Sequence, residues 1–312
     1  MKKHILILRV LAILLIVNEH LDKIYPYSAM SVGGYLGISI FFFVSGWGLA
    51  HSYEANPVGM SIWFKKRFVK LIIPLTIICL VVNLFSIDRF FGTLVGHLVP
   101  HSFSQLDSFL PNLVVLYLFS FMLLQFSSKK LLNLLIILCI IPIFLNLFPV
   151  IDKEKFDIFY PVNAFACFIS GIFASRRAPI FCFYDIIGKR SVYFGLLALL
   201  FLHIYVKVIG IELLLFYITI METIFLFNFM YIISQYINNE TFLSIVKSVA
   251  MSSLAVYLVH FKIIYAFVAL NMQGFSVAFY VFSISVAVSI PLAQASNWVT
   301  AKIDFDFAAR KT

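Results

Sequence analysis

Charge is scarce in this chain. Of its 312 residues only 12% are charged, with 14 Asp and Glu against 23 Lys and Arg, and the mean hydropathy is +1.03. No water-soluble domain of ordinary composition is so apolar, so a soluble fold is excluded and a polytopic integral membrane protein is expected. Cysteine is nearly absent: Cys79, Cys139, Cys167 and Cys182 lie in or beside apolar segments without CxxC spacing. Neither a disulfide frame nor a zinc site is indicated, and the four read as small packing residues. A small-residue cleavage site is also missing after the first apolar stretch, so Lys2 and Lys3 introduce a retained helix rather than a removable signal. Repeats, low-complexity tracts and long polar stretches are lacking too. One transmembrane domain over 1–312 is therefore expected, with no appended soluble domain. The basic excess falls in short clusters between apolar segments rather than along one soluble face, which argues against nucleic acid as a partner.

What is present is a series of apolar runs of about 17 to 23 residues, the length a bilayer core demands. They fall at roughly 5–21, 32–51, 68–87, 110–126, 131–149, 158–174, 191–208, 213–233, 250–270 and 275–296. With the N-terminus inside, the cytoplasmic segments carry Lys2, Lys3, Lys65, Lys66, Arg67, Lys70, Lys129, Lys130, Arg176, Arg177, Lys189, Arg190, Lys247, Lys302, Arg310 and Lys311. The opposite side carries Lys23, Arg89, Lys153, Lys155 and Lys207. A missed helix would reverse this asymmetry beyond it, and no reversal occurs. The expected fold is all-α, with ten transmembrane helices and both termini in the cytoplasm. The tail after Asp304 reads as a short polar end.

The few ionisable groups inside these runs are candidates for function, because each is costly in hydrocarbon unless it faces a cavity, a partner helix or a ligand. Arg9 and His20 stand eleven positions apart in the first run. On a helix that is about 20° past three full turns and roughly 16 Å of rise, so both lie on one face. Arg9 falls in the cytoplasmic half, where it either snorkels to headgroups or holds an anion. His20 falls near the outer end beside Glu19 and Asp22, as an interfacial residue or a general base. In the second run Ser45, Gly46 and Gly48 allow close helix packing or passage of a thin ligand chain. Before Pro74 the cluster Lys65, Lys66, Arg67 and Lys70 enters the third run; anchoring explains three of these charges, and a phosphate-bearing ligand would suit all four. His260 and Lys262 in the ninth run call for a carboxylate, and Glu222 in the eighth is the expected partner, as polar support of the bundle interior. The external loop 86–109 carries His97 and His101 at i, i+4, but no third ligand, so no metal site is assigned.

Four features in this order resemble the integral membrane acyltransferases of family 3, which include O-acetyltransferases of bacterial surface polysaccharides. They are the Arg-x10-His pair Arg9 and His20, Phe41-Phe-Phe-Val-Ser-Gly-Trp47, Lys66-Arg67-Phe-Val-Lys70 before Pro74, and Ser253-Leu-Ala-Val-Tyr-Leu-Val-His260. The resemblance implies transfer of an acyl group, usually acetyl, from cytoplasmic acyl-CoA to a hydroxyl of a surface polysaccharide or lipid-linked glycan. His20 and Arg9 would be the catalytic pair; Arg67, Lys70, Ser45 and Gly46 would receive the acyl-CoA. Acetyl-CoA is then a donor substrate, no cofactor is held permanently, and the location is the inner membrane. A transporter or flippase of a lipid-linked glycan is the rival reading of the same polar stripe.

Overall fold

The computed structural model describes residues 2–82, 109–147, 159–177 and 187–309. Among them the regular structure is helical, without a strand. The helices are α1 (Lys3–Glu19), α2 (Gly34–Ala55), α3 (Met60–Val82), α4 (Phe109–Gln125), α5 (Ser128–Leu147), α6 (Phe159–Arg176), α7 (Lys189–Ile209), α8 (Glu212–Ser234), α9 (Glu240–Met251), α10 (Ser253–Ala269) and α11 (Phe275–Ala309), with a 3₁₀ turn at Ser28–Met30. Each apolar run is helical over most of its described part, the run at 250–270 being interrupted at Ser252, because a long apolar segment in lipid must satisfy its backbone internally. Four stretches, Ser28–Ala55, Lys189–Ile209, Glu212–Ser234 and Phe275–Lys302, are long and apolar enough to cross a bilayer, and α9 with α10 makes a fifth if counted together.

Three boundaries differ from the expectation. Helix α3 begins at Met60, so the basic cluster is carried on the helix instead of preceding it. A separate 12-residue helix, α9, precedes α10, and the two are bent by 70°. The break is at Ser252, whose hydroxyl and backbone N–H both donate to the carbonyls of Ser248 and Val249 and so close α9. Helix α11 continues to Ala309, through part of the segment read as a polar tail.

The chain divides into two compact units, one of residues 1–12, 35–58 and 98–239, the other of 13–34, 59–97 and 240–312. In the first, α6 packs against α4, α5 and α8, and α7 against α8. The α7–α8 turn is made by Gly210, whose φ of +79° suits a residue without Cβ and whose N–H caps Val206. Arg176, at the end of α6, pairs with Glu54 at 3.1 Å and donates to the carbonyls of Phe126 and Leu124, satisfying groups that the end of α4 leaves open. In the second unit α3, α10 and α11 pack on one another. Leu21 and Ile24, in the connection that follows α1, are buried with Ile264, Val277, Ala278 and Val281, which fixes that connection onto α10 and α11.

Candidate functional site

His20 immediately follows α1, its backbone N–H bonded to Val17 at 3.1 Å. The connection around it is tied back by the residues before it. The Asn18 amide donates to the carbonyls of Met30 (3.0 Å) and Val32 (2.9 Å) and accepts from the Tyr25 hydroxyl (2.7 Å). Ser31 donates to the Asn18 and Glu19 carbonyls, and the Glu19 carboxylate accepts the Gly34 N–H at 3.0 Å, capping the start of α2. Glu19 is thus a helix cap beside His20. Asn18, Tyr25 and Ser31 were not singled out in the sequence, although a polar Asn at the end of an apolar run is the kind of residue that ties a turn.

The imidazole of His20 is half-buried against α10. Its ring centre is 4.5 Å from that of Phe261 and 5.3 Å from that of His260. His260 is fully buried, at 0% exposure, and its Nδ1–H donates to the Val256 carbonyl at 3.2 Å. Two residues on along the helix, Lys262 is exposed, because two positions rotate the side chain by roughly 200°. The expectation that Lys262 faces the bundle interior beside His260 is corrected accordingly.

In the other unit Arg9 lies on α1 with its guanidinium carbon 6.0 Å from the Phe41 ring centre on α2, and its buried Nε has no hydrogen-bond partner among the described residues. Ser45 is one turn from Phe41 on the same side of α2 and is buried. Gly46 serves packing: a Cβ there would sit 2.0 Å from the Phe168 carbonyl oxygen of α6. Gly171 makes the reciprocal approach, 2.0 Å from the Phe43 carbonyl oxygen. Two helix backbones meet at these glycines, leaving no room there for a ligand chain.

Glu222 also finds a different partner from the one expected. Its Oε2 is 2.8 Å from His203 Nδ1 on the neighbouring α7. The signal was available: α7 and α8 are joined by a two-residue turn, so an ionisable residue in one is most readily met by one in the other. His97, His101 and the rest of loop 86–109 before its last residue, together with Cys182, lie outside the described residues.

The acyltransferase-domain family model matches residues 4–294, which contain every one of these positions. The chain belongs to acyltransferase family 3. It is accordingly a membrane acyltransferase, a multi-pass protein whose match covers nearly the whole sequence. No curated protein and no solved structure gave a significant match.

In this acyltransferase the basic face of α3 is ordered by an aromatic ring: the Arg67 guanidinium lies over Trp63, 4.4 Å from its ring centre. Lys70 is on the same side three residues on and is exposed, as are Lys65 and Lys66. The buried His203–Glu222 pair makes a separate prediction. Removing one partner from a buried pair costs about 3–5 kcal/mol, whereas replacing both by apolar groups is often nearly neutral. His203→Leu should therefore lower the melting temperature in detergent more than the double variant His203→Leu/Glu222→Leu does. A single variant as stable as the double would remove the pair as a structural element.

Proposed function

We propose that this acyltransferase moves an acetyl group from cytoplasmic acetyl-CoA to a hydroxyl of a lipid-linked or extracytoplasmic glycan at the inner membrane, with ten spans and both termini inside. The observation that carries the reading is the occurrence, in one family-matched chain, of a half-buried arginine on α1 whose buried Nε has no hydrogen-bond partner among the described residues and a half-buried histidine that directly follows the same helix. A buried polar group lacking a partner is costly, and an anionic ligand beside Arg9 would remove that cost.

The proposed topology draws support from the tryptophans. Trp47, Trp63 and Trp298, the three in the chain, each lie under a cation, from Lys2, Arg67 and Lys302 respectively. Tyr236 similarly accompanies Lys189. In the ten-span order all of these pairs fall at cytoplasmic helix ends, where aromatic and basic residues anchor a span.

Arg67 and Lys70 bind the phosphates of the donor, and Arg9 is a further cation for its negative charge. Since Gly46 is spent on α6, the pantetheine arm runs along the Phe41 and Ser45 side of α2, the side on which Arg9 lies. By helix rise, the eleven positions from Arg9 to His20 correspond to roughly 16 Å, a length an extended arm spans. His20 removes the proton of the sugar hydroxyl as its oxygen attacks the thioester carbonyl. The C–S bond then breaks, and the proton leaves with the CoA thiol. Transfer through an acyl-histidine uses the same residue as nucleophile.

The test of the donor site is kinetic. Arg67→Ala and Lys70→Ala should each raise KM for acetyl-CoA, by roughly tenfold for loss of one charge-assisted contact of about 1.4 kcal/mol, and leave kcat little changed. Unaltered KM in the double variant would remove α3 from the donor site.

A further inference from the structure

We propose that His260 is a positioning residue for His20: its Nε2 accepts the N–H of the His20 imidazole and so leaves the other His20 nitrogen free as the base. This deepens the acyl-transfer reading and rests on it for the chemistry, but its geometry stands by itself.

A backbone carbonyl can only accept, so the 3.2 Å contact with Val256 makes Nδ1 of His260 the protonated nitrogen. In the neutral ring Nε2 then carries a lone pair and can act only as an acceptor. That atom is buried and has no hydrogen-bond partner among the described residues, in a side chain at 0% exposure. A buried acceptor left open is expensive, and the imidazole of His20 is in contact, 5.3 Å between centres with the planes at 35°. Phe261, 4.1 Å from His260 and 4.5 Å from His20, and Tyr257, 5.7 Å from His260, wall the pair with rings. Catalytic hydrogen bonds are often long before substrate is bound and tighten in the complex. Reorientation of the His20 ring about its side-chain torsions would bring its N–H onto Nε2 across the 5.3 Å between ring centres. No proton moves beyond His20: the N–H facing His260 stays on His20 throughout, while the opposite nitrogen takes the hydroxyl proton and later gives it up.

Three variants separate this role from packing. His260→Phe keeps the ring and removes the acceptor. His260→Gln places an amide oxygen at the reach of Nε2, and His260→Asn offers the same amide too short to reach it. The full-length protein in lipid vesicles is assayed for acetyl transfer to a lipid-linked glycan extract. In parallel, the rate of His20 carbethoxylation by diethyl pyrocarbonate is followed by mass spectrometry, a readout that needs no acyl transfer. Expected are a kcat lower by on the order of 10²-fold in the Phe and Asn variants, KM for acetyl-CoA unchanged, and substantial recovery in Gln. His20 carbethoxylation should slow in Phe and Asn and recover in Gln. If the Phe variant is lost to misfolding, the Gln and Asn contrast decides alone. Equal behaviour of Gln and Asn in both assays, or a wild-type modification rate in Phe, overturns the proposal. Should wild type transfer no acetyl, the acyl-transfer reading fails, and the carbethoxylation order still accepts or rejects the His260 role.

Discussion

A His20→Ala variant reconstituted in lipid vesicles is expected to keep its helical content and its affinity for acetyl-CoA, and to lose acyl transfer by about 10²- to 10⁴-fold, the usual contribution of a general base. The fold should survive because the connection that carries His20 is not held by its imidazole. Asn18, Tyr25, Ser31 and Glu19 make the hydrogen bonds that close it, and Leu21 and Ile24 bury it against α10 and α11. Donor affinity should survive because Arg67 and Lys70, the proposed phosphate contacts, sit on a different helix, α3. The variant therefore separates chemistry from folding and binding. Circular dichroism, a KM for acetyl-CoA and a transfer rate from the same preparation check all three. Loss of helical signal along with activity would mean that the ring is structural.

Gly46→Ala and Gly171→Ala should each be far more damaging to the folded protein than their size suggests. A methyl group at either position would stand 2.0 Å from a backbone carbonyl oxygen, of Phe168 in one case and Phe43 in the other. Neither obstacle is a side chain that can rotate away, so α2 and α6 must move apart. Overpacking of this kind costs typically about 1–3 kcal/mol and more when backbone has to shift, and two helices pushed apart forfeit their dispersion contacts along the whole interface. Gly48 supplies the control: nothing lies within 4 Å of a Cβ built there, so Gly48→Ala should be tolerated and gain a little helix propensity. Thermal melting followed by size-exclusion in detergent distinguishes them. Gly46→Ala melting with Gly48→Ala would contradict the close approach of the two backbones.

The sequence was most informative where a local rule acts alone. A run of apolar residues of bilayer length has one solution for its backbone, which is why the segments at 5–21 and 213–233 match α1 and α8 to within two residues at each end. Helix α9 escaped because a 12-residue amphipathic piece is too short to register as a span, and the break at Ser252 depends on which carbonyls its hydroxyl chooses. The candidate residues divide along the same line. Arg9, His20 and His260 declared themselves by the cost of their charge or polarity in an apolar run, and Arg67 by its place in a basic cluster at a helix entrance. Their partners did not, because partnership is a property of packing. Glu222 was given to His260 by depth in the membrane, but its neighbour across the α7–α8 turn is His203. Gly46 was legible as a small residue facing something, and only the Phe168 carbonyl identifies that something as α6.

The central claim, transfer of acetyl from cytoplasmic acetyl-CoA to a glycan dependent on His20, is tested most directly with radiolabelled acetyl-CoA. The label is supplied to one side of vesicles that contain the purified protein and a total lipid-linked glycan extract, and wild type is compared with His20→Ala. The account predicts label in the glycan with wild type, open to a membrane-impermeant esterase on the opposite side, and none above background with the variant. Equal labelling by wild type and His20→Ala would contradict it, as would wild-type vesicles that carry glycan across the membrane without labelling it.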